Sequence, residues 1–212
     1  MMDPEKYDMS FEKFNPKKFY FDGTRVIEVS GGRSVSIHDI AIHCSGSYLG
    51  NYLNGSGFYS SPTSPPPLMA GFVEIELDKE TGKYEILDYV GVVDCGTVVN
   101  TNLARVQAEG GISQGIGLAM YEDVKYSSQG KMMTNSFMQY KIPARVDVGK
   151  IRVEFESSYE PSGPYGAKSI GEIVVNTPAP AIADALRNAV GINLRQLPMT
   201  PEKVLTAMEE LK

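Results

Sequence analysis

From Phe72 to Leu77 apolar and charged side chains alternate, with Val73, Ile75 and Leu77 on one face and Glu74 and Glu76 on the other. A period of two predicts a half-buried strand. Asp78-Lys79-Glu80-Thr81-Gly82 turns the chain, and Tyr84 to Val93 runs back as a strand that is apolar nearly throughout. Such a strand belongs in a sheet interior, and its end delivers Asp94, Cys95 and Gly96 into a loop. From about Asn102 to Tyr121 the apolar positions Val106, Ile112, Ile116, Ala119 and Met120 predict a helix that also carries Gly110, Gly111, Gly115 and Gly117. Each mid-helix glycine costs about 1 kcal/mol relative to Ala. Four of them are tolerated where something approaches the helix backbone closely, either another helix or a cofactor.

Two further strands are expected at Lys131 to Tyr140 and Ile151 to Phe155. Thr177 can cap a helix that takes Pro178 in its first turn, buries Ile182, Ala185, Leu186 and Ala189, and stops at Gly191. Thr200-Pro201-Glu202 opens a last helix with Val204, Leu205, Met208 and Leu211 inward. Towards the N-terminus, Asp22-Gly23 predicts a type I′ hairpin joining Tyr20-Phe21 to Arg25–Val29. Ser36 is placed to cap a helix buried through Ile37, Ile40 and Ala41. Residues 1–19 read as an arm that packs on something larger. Residues 44–71, rich in Ser and Pro between Ser56 and Pro67, read as an extended loop wrapping a neighbouring domain.

These elements give an α+β class with antiparallel strands and segregated helices. The arm, residues 1–19, precedes one region, 20–212, divisible into lobes at about 20–100 and 101–212.

Charge and cysteine content narrow the function. Twenty Lys and Arg against 26 Asp and Glu leave a net charge of −6. Nucleic acid is not an expected partner, because phosphate binding needs a cationic face. No apolar run approaches the roughly 20 residues of a membrane span, and the acidic N-terminus is not a signal peptide, so a cytoplasmic location is expected. Two cysteines cannot ligate an iron–sulfur cluster, which takes about four. His38 and His43 lack a third ligand at zinc-like spacing, and no residue is assigned to a metal.

The chemistry concentrates in Gly166-Ala167-Lys168-Ser169-Ile170-Gly171-Glu172. Gly166 and Gly171 frame a loop able to present successive N–H groups to an anion, and Lys168 could add a cation. A partly desolvated Glu172 in such a loop can act as a general base. Its structural alternative is stabilisation of a nearby helix start. Gln107 offers both donor and acceptor, and Gln114 lies two helical turns further on. Asp94 and Asn100 read as architectural, bonding backbone groups to fix the turn before the glycine-rich helix.

Taken in order, Asp94-Cys95-Gly96 with Asn100, Gln107-Ala108-Glu109-Gly110-Gly111, Tyr140-Lys141-Ile142-Pro143, Gly166 to Glu172 and Leu197-Pro198 with Thr200-Pro201 resemble one family. It is the C-terminal part of the molybdenum-binding subunit of the xanthine dehydrogenase/aldehyde oxidase family. The resemblance implies that Glu172 is the base that deprotonates the attacking hydroxide, and that Gln107, Gln114, Lys168, Ser169, Ile170 and Gly171 contact molybdenum-molybdopterin. It implies hydroxylation of a purine-like heterocycle or an aldehyde. It also implies iron–sulfur and FAD sites on partner subunits, and cofactor-binding segments in the remainder of the molybdenum-binding subunit. A chain this short is then expected to be a fragment or a split-gene product, with little activity alone. Two other readings are a non-catalytic assembly module and an unrelated β-rich ligand-binding domain.

Overall fold

The computed structural model describes residues 15–45, 56–156 and 158–211, so most of the expected arm and the middle of the 44–71 stretch lie outside the described residues. The chain divides into two compact units between Phe58 and Tyr59.

The first unit holds an antiparallel sheet of β1 (Phe19–Phe21), β2 (Arg25–Glu28) and β3 (Ser34–Ser36), followed by α1 (Ile37–Ser45). The hairpin forms where expected, but its loop is Gly23-Thr24. Asp22 N–H donates to Arg25 O at 3.1 Å, and Gly23 alone has positive φ, at 101°. Glycine at the first loop position replaces the type I′ geometry. The Asp22 carboxylate accepts the Thr24 and Arg25 N–H groups at 2.8 and 2.7 Å. These bonds hold its pKa below the ordinary range. Ser36 Oγ accepts from Asp39 N at 3.0 Å and donates to the Asp39 carboxylate at 2.6 Å, so the cap forms. Its helix buries none of its residues; Ile37 is exposed, and Ile40 and Ala41 are only half-buried.

In the second unit β4 (Leu68–Leu77) pairs antiparallel with β5 (Tyr84–Asp94), which pairs with β6 (Lys150–Phe155). β5 is the middle strand, as its apolar run predicts. β6 runs parallel to it, because the chain returns through α2 (Thr101–Met120) rather than through a hairpin. β4 begins four residues earlier than the alternation announces, because Leu68 to Gly71 pair with Gly91 to Asp94. Leu87 is an extra residue between the pairs Ile75↔Ile86 and Glu74↔Asp88. The bulge switches the buried positions of β5 from Tyr84 and Ile86 to Tyr89, Gly91 and Val93.

Helices cover this sheet: α2, α3 (Ile173–Asn176), α4 (Pro178–Val190) and α5 (Pro201–Glu209). Ile112, Ile116, Ala119, Val153, Val174, Ile182, Leu186 and Val204 are wholly buried in one core. The core draws on both sides of residue 100, so the expected lobe division there cuts through continuous packing. Tyr89, also fully buried, donates its hydroxyl to Thr177 Oγ1 at 2.9 Å. Thr177 is thereby used as an acceptor and does not cap α4, which it enters in helical conformation from α3.

Other expectations change. Lys131 to Tyr140 is not a strand; only an isolated bridge, Tyr126↔Met132, forms near it. Val106, Ala189 and Leu211 are exposed, and Ala185, Leu205 and Met208 only half-buried. The described start of the Ser/Pro-rich stretch folds back on its own unit. Tyr59 Oη and Ser61 Oγ each donate to Ser162 O at 2.8 Å, and Thr63 Oγ1 donates to Ser162 Oγ at 2.7 Å. Among the described residues no helix is long and apolar enough to cross a membrane.

Candidate functional site

The end of β5, the start of α2 and the loop before α3 meet in one place. Asp94 Oδ1 accepts from Gly96 N at 3.0 Å, and Asn100 Oδ1 accepts from Leu103 N at 3.0 Å as the N-cap of α2. Both side chains are architectural. Gly96 then runs antiparallel to Ala167 as a single bridge. Thr97 N donates to Gly166 O at 2.8 Å, and Lys168 N donates to Cys95 O at 2.7 Å. Gly96 and Gly166 hold φ of 68° and 81°. A side chain on Gly96 would collide with Gly166 O, and one on Gly166 with the Tyr159 ring. The two glycines are thus required by positive φ and by close approach together. Gly171 does not adopt positive φ.

Beside this junction is a cleft of about 480 Å³, whose walls include Thr97, Asn100 and Gln107 on one side and Lys168, Ile170 and Gly171 on the other. A Cβ on Gly171 would stand 3.9 Å from Gln107 Nε2, so the helix and the loop face each other closely. The Gln107 amide makes no hydrogen bond among the described residues. None of the N–H groups of Ser169, Ile170 and Gly171 donates a backbone hydrogen bond among those residues. Gln107, Lys168, Ile170 and Gly171 therefore share one wall system, while Ser169, Gln114 and Glu172 are not in its lining. Gln114 is exposed on α2 two turns beyond Gln107.

Glu172 follows the cleft-lining Gly171 and precedes α3, without a side-chain capping bond. Its side chain is exposed, not partly desolvated as expected. A base tuned by burial needs a cover, and the described residues leave this carboxylate in water.

Lys168 also departs from expectation. Its side chain is 9% exposed, and Nζ contacts Asp94 Oδ2 at 2.6 Å. The ammonium is paired within the chain, at the edge of the cleft that Lys168 helps to line. Lys168, Ser158 Oγ at 2.5 Å and Gly96 N all donate to Asp94 and draw its pKa down to about 2. Cys95 is buried, and burial pushes its thiol upward, away from the thiolate. Asp94 and Lys168 are far apart in sequence, and no local motif announces their pairing.

The glycines of α2 have different neighbours. Side chains on Gly111 and Gly115 would collide with Val174 and Pro178, so these two admit the neighbouring helices. Gly117 makes room for the Glu122 carboxylate, which accepts from Tyr140 Oη, and for Pro143. Gly110 has nothing near it.

Residues 5–149 match the family model described as the molybdopterin cofactor-binding domain. The chain is similar to the probable hypoxanthine oxidase XdhD of Escherichia coli K12, at 40% identity over 75% of this chain and 17% of that protein. It is 35% identical to the gamma subunit of the 6-hydroxypseudooxynicotine dehydrogenase complex of Paenarthrobacter nicotinovorans, over 68% of this chain and 19% of that one. In fold it superposes on reconstituted CO dehydrogenase from Oligotropha carboxidovorans with a TM-score of 0.75 at 22% identity, covering 93% of this chain and 25% of that chain. The chain thus spans between 17 and 25% of the length of these three proteins. Mixed helix and strand, the motif order and the matched model agree: the chain belongs to the molybdopterin cofactor-binding domain family, within the molybdenum-binding proteins of the xanthine dehydrogenase/aldehyde oxidase type.

Proposed function

We propose that this chain is the C-terminal portion of a molybdenum hydroxylase that supplies the base Glu172 and part of the molybdopterin site. The observation that carries the reading is the cleft in which Gln107 faces Gly171, the residue next to Glu172. Its donors fit an anionic, hydrogen-bonding cofactor: the Gln107 amide, without a hydrogen bond among the described residues, and the consecutive N–H groups of Ile170 and Gly171. Gln114 extends the same helix face. Bound molybdenum-molybdopterin supplies the two-electron chemistry of hydroxylation.

The chain's own part is to orient the group through Gln107 and the Ile170-Gly171 backbone, and to accept a proton on the Glu172 carboxylate. The remainder of the molybdenum-binding subunit covers Glu172, excludes water from it and completes the site. Iron–sulfur and FAD subunits carry the electrons away; the relative named as the gamma subunit of a dehydrogenase complex supports such an assembly. The substrate is a purine-like heterocycle or an aldehyde, and the 40% identity to a probable hypoxanthine oxidase favours the purine.

Replacing Glu172→Gln in the assembled enzyme tests the reading. Turnover falls by about 10²–10⁴-fold, the usual worth of a positioned base, while molybdenum content is retained. Unchanged turnover would assign the chain to the alternative, a non-catalytic structural or assembly piece, which the exposure of Glu172 favours. The isolated chain is expected to show little hydroxylase activity and weak cofactor binding, read by metal content and turnover.

A further inference from the structure

From the ties gathered at the junction we infer that Asp94 and Lys168 form a positioning clamp, one that fixes the spacing between the α2 wall and the Ile170-Gly171 wall of the cleft. The inference rests on the proposed role of those walls and assigns Lys168 an action through Asp94, not on the ligand. Three chain segments end on one carboxylate. The turn after β5 supplies Gly96 N–H, the segment after β6 supplies Ser158 Oγ, and the glycine loop supplies Lys168 Nζ. The last has little access to water, with 9% of the Lys168 side chain and 20% of that of Asp94 exposed.

Tyr165 has φ of 56°, a left-handed conformation unusual for a side chain of its size. Among the described residues, the backbones of the two segments are joined by the Gly96↔Ala167 bridge alone, through its two hydrogen bonds. An ion pair with little access to water adds a restraint across this junction, because leaving either charge alone there is unfavourable.

Hydrogen–deuterium exchange on the full chain without cofactor reads the clamp directly. Lys168→Met should let the Thr97 and Lys168 amides exchange about tenfold faster or more, the worth of a hydrogen bond to a charged group. Amides of α5 should keep their rates, and Lys168→Arg should restore most of the protection. Wild-type exchange at both amides in Lys168→Met overturns the inference. Should that variant fail to fold, Ser158→Ala removes one bond from Asp94 and must give the same local acceleration, smaller in size; its absence also overturns it. In the assembled enzyme Lys168→Met should lower kcat with recovery in Lys168→Arg. If exchange accelerates while Glu172→Gln is without effect on turnover, the clamp stands and the proposed function fails.

Discussion

The two faces of α2 follow opposite rules along the same 20 residues. Inward, Ala108, Ile112, Ile116 and Ala119 are fully buried, and Gly111 and Gly115 let Val174 and Pro178 approach to backbone distance. Outward, Leu103 and Val106 are 68% and 67% exposed, Gln107 and Gln114 face water, and Gly110 touches nothing. The inner face is complete within this chain: each apolar group has its neighbours and each tight glycine its reason. The outer face carries apolar side chains, two amides and a glycine with no partner among the described residues. Stability is therefore written on one side of the helix and the site on the other. At its N-terminus the two duties meet in one residue: Asn100 caps the helix and also lines the cleft with Gln107.

The comparison breaks most visibly under truncation of apolar side chains. Ile112→Ala should cost about 2–5 kcal/mol in chemical denaturation, the range for emptying a packed core site. Val106→Ala, of similar chemistry on the other face, should stay within about 0.5 kcal/mol. Equal losses would mean that the outer face is packed in the free chain. A smaller effect comes from acid. The Asp94 pKa lies at about 2, below the ordinary 3.8, because three donors favour its ionised form. A depressed carboxylate contributes stability that is whole above about pH 4 and is lost as pH falls through about 2. Asp94→Asn should remove that part of the acid slope, measured by denaturation midpoints at pH 6, 4, 3 and 2. An unchanged slope would detach the ion pair from stability.

Much of the inner face was legible in the sequence. Ile112, Ile116 and Ala119 recur at helical spacing, and the alternation of Val73, Ile75 and Leu77 shows a sheet face. Local pattern failed where burial depends on what returns from afar. Val106 fits the apolar spacing as well as Ile112 does, yet among the described residues no element comes to cover it. Lys131 to Tyr140 has strand-like residues, yet among the described residues its pairing stops at the single Tyr126↔Met132 bridge. The Leu87 bulge hides the phase of β5 behind a continuous apolar run. At the site, the glycine loop and Gln107 could be singled out from the family resemblance, and the cleft brings Gln107 to Gly171. The commitment of Lys168 to Asp94 could not, since a cation beside glycines reads as an anion ligand until its partner is placed.

Gly110 and Gly111 turn the contrast between the faces into a change of sign. Gly111→Ala forces a methyl group into Val174, and overpacking of this kind costs about 1–3 kcal/mol. Gly110→Ala meets open space in a helical position and should stabilise the free chain by about 1 kcal/mol, the helix-propensity gain alone. Thermal or chemical denaturation of the two single variants separates them. In the assembled enzyme the second sign becomes informative. If the remaining part of the molybdenum-binding subunit or the cofactor seats against the outer face, the methyl group that steadies the free chain must weaken that contact, and cofactor retention should fall although the helix is firmer. If retention is unchanged, Gly110 stands clear of the assembled site, and the uncovered stripe of α2 ends at Gln107 rather than running on to Gln114.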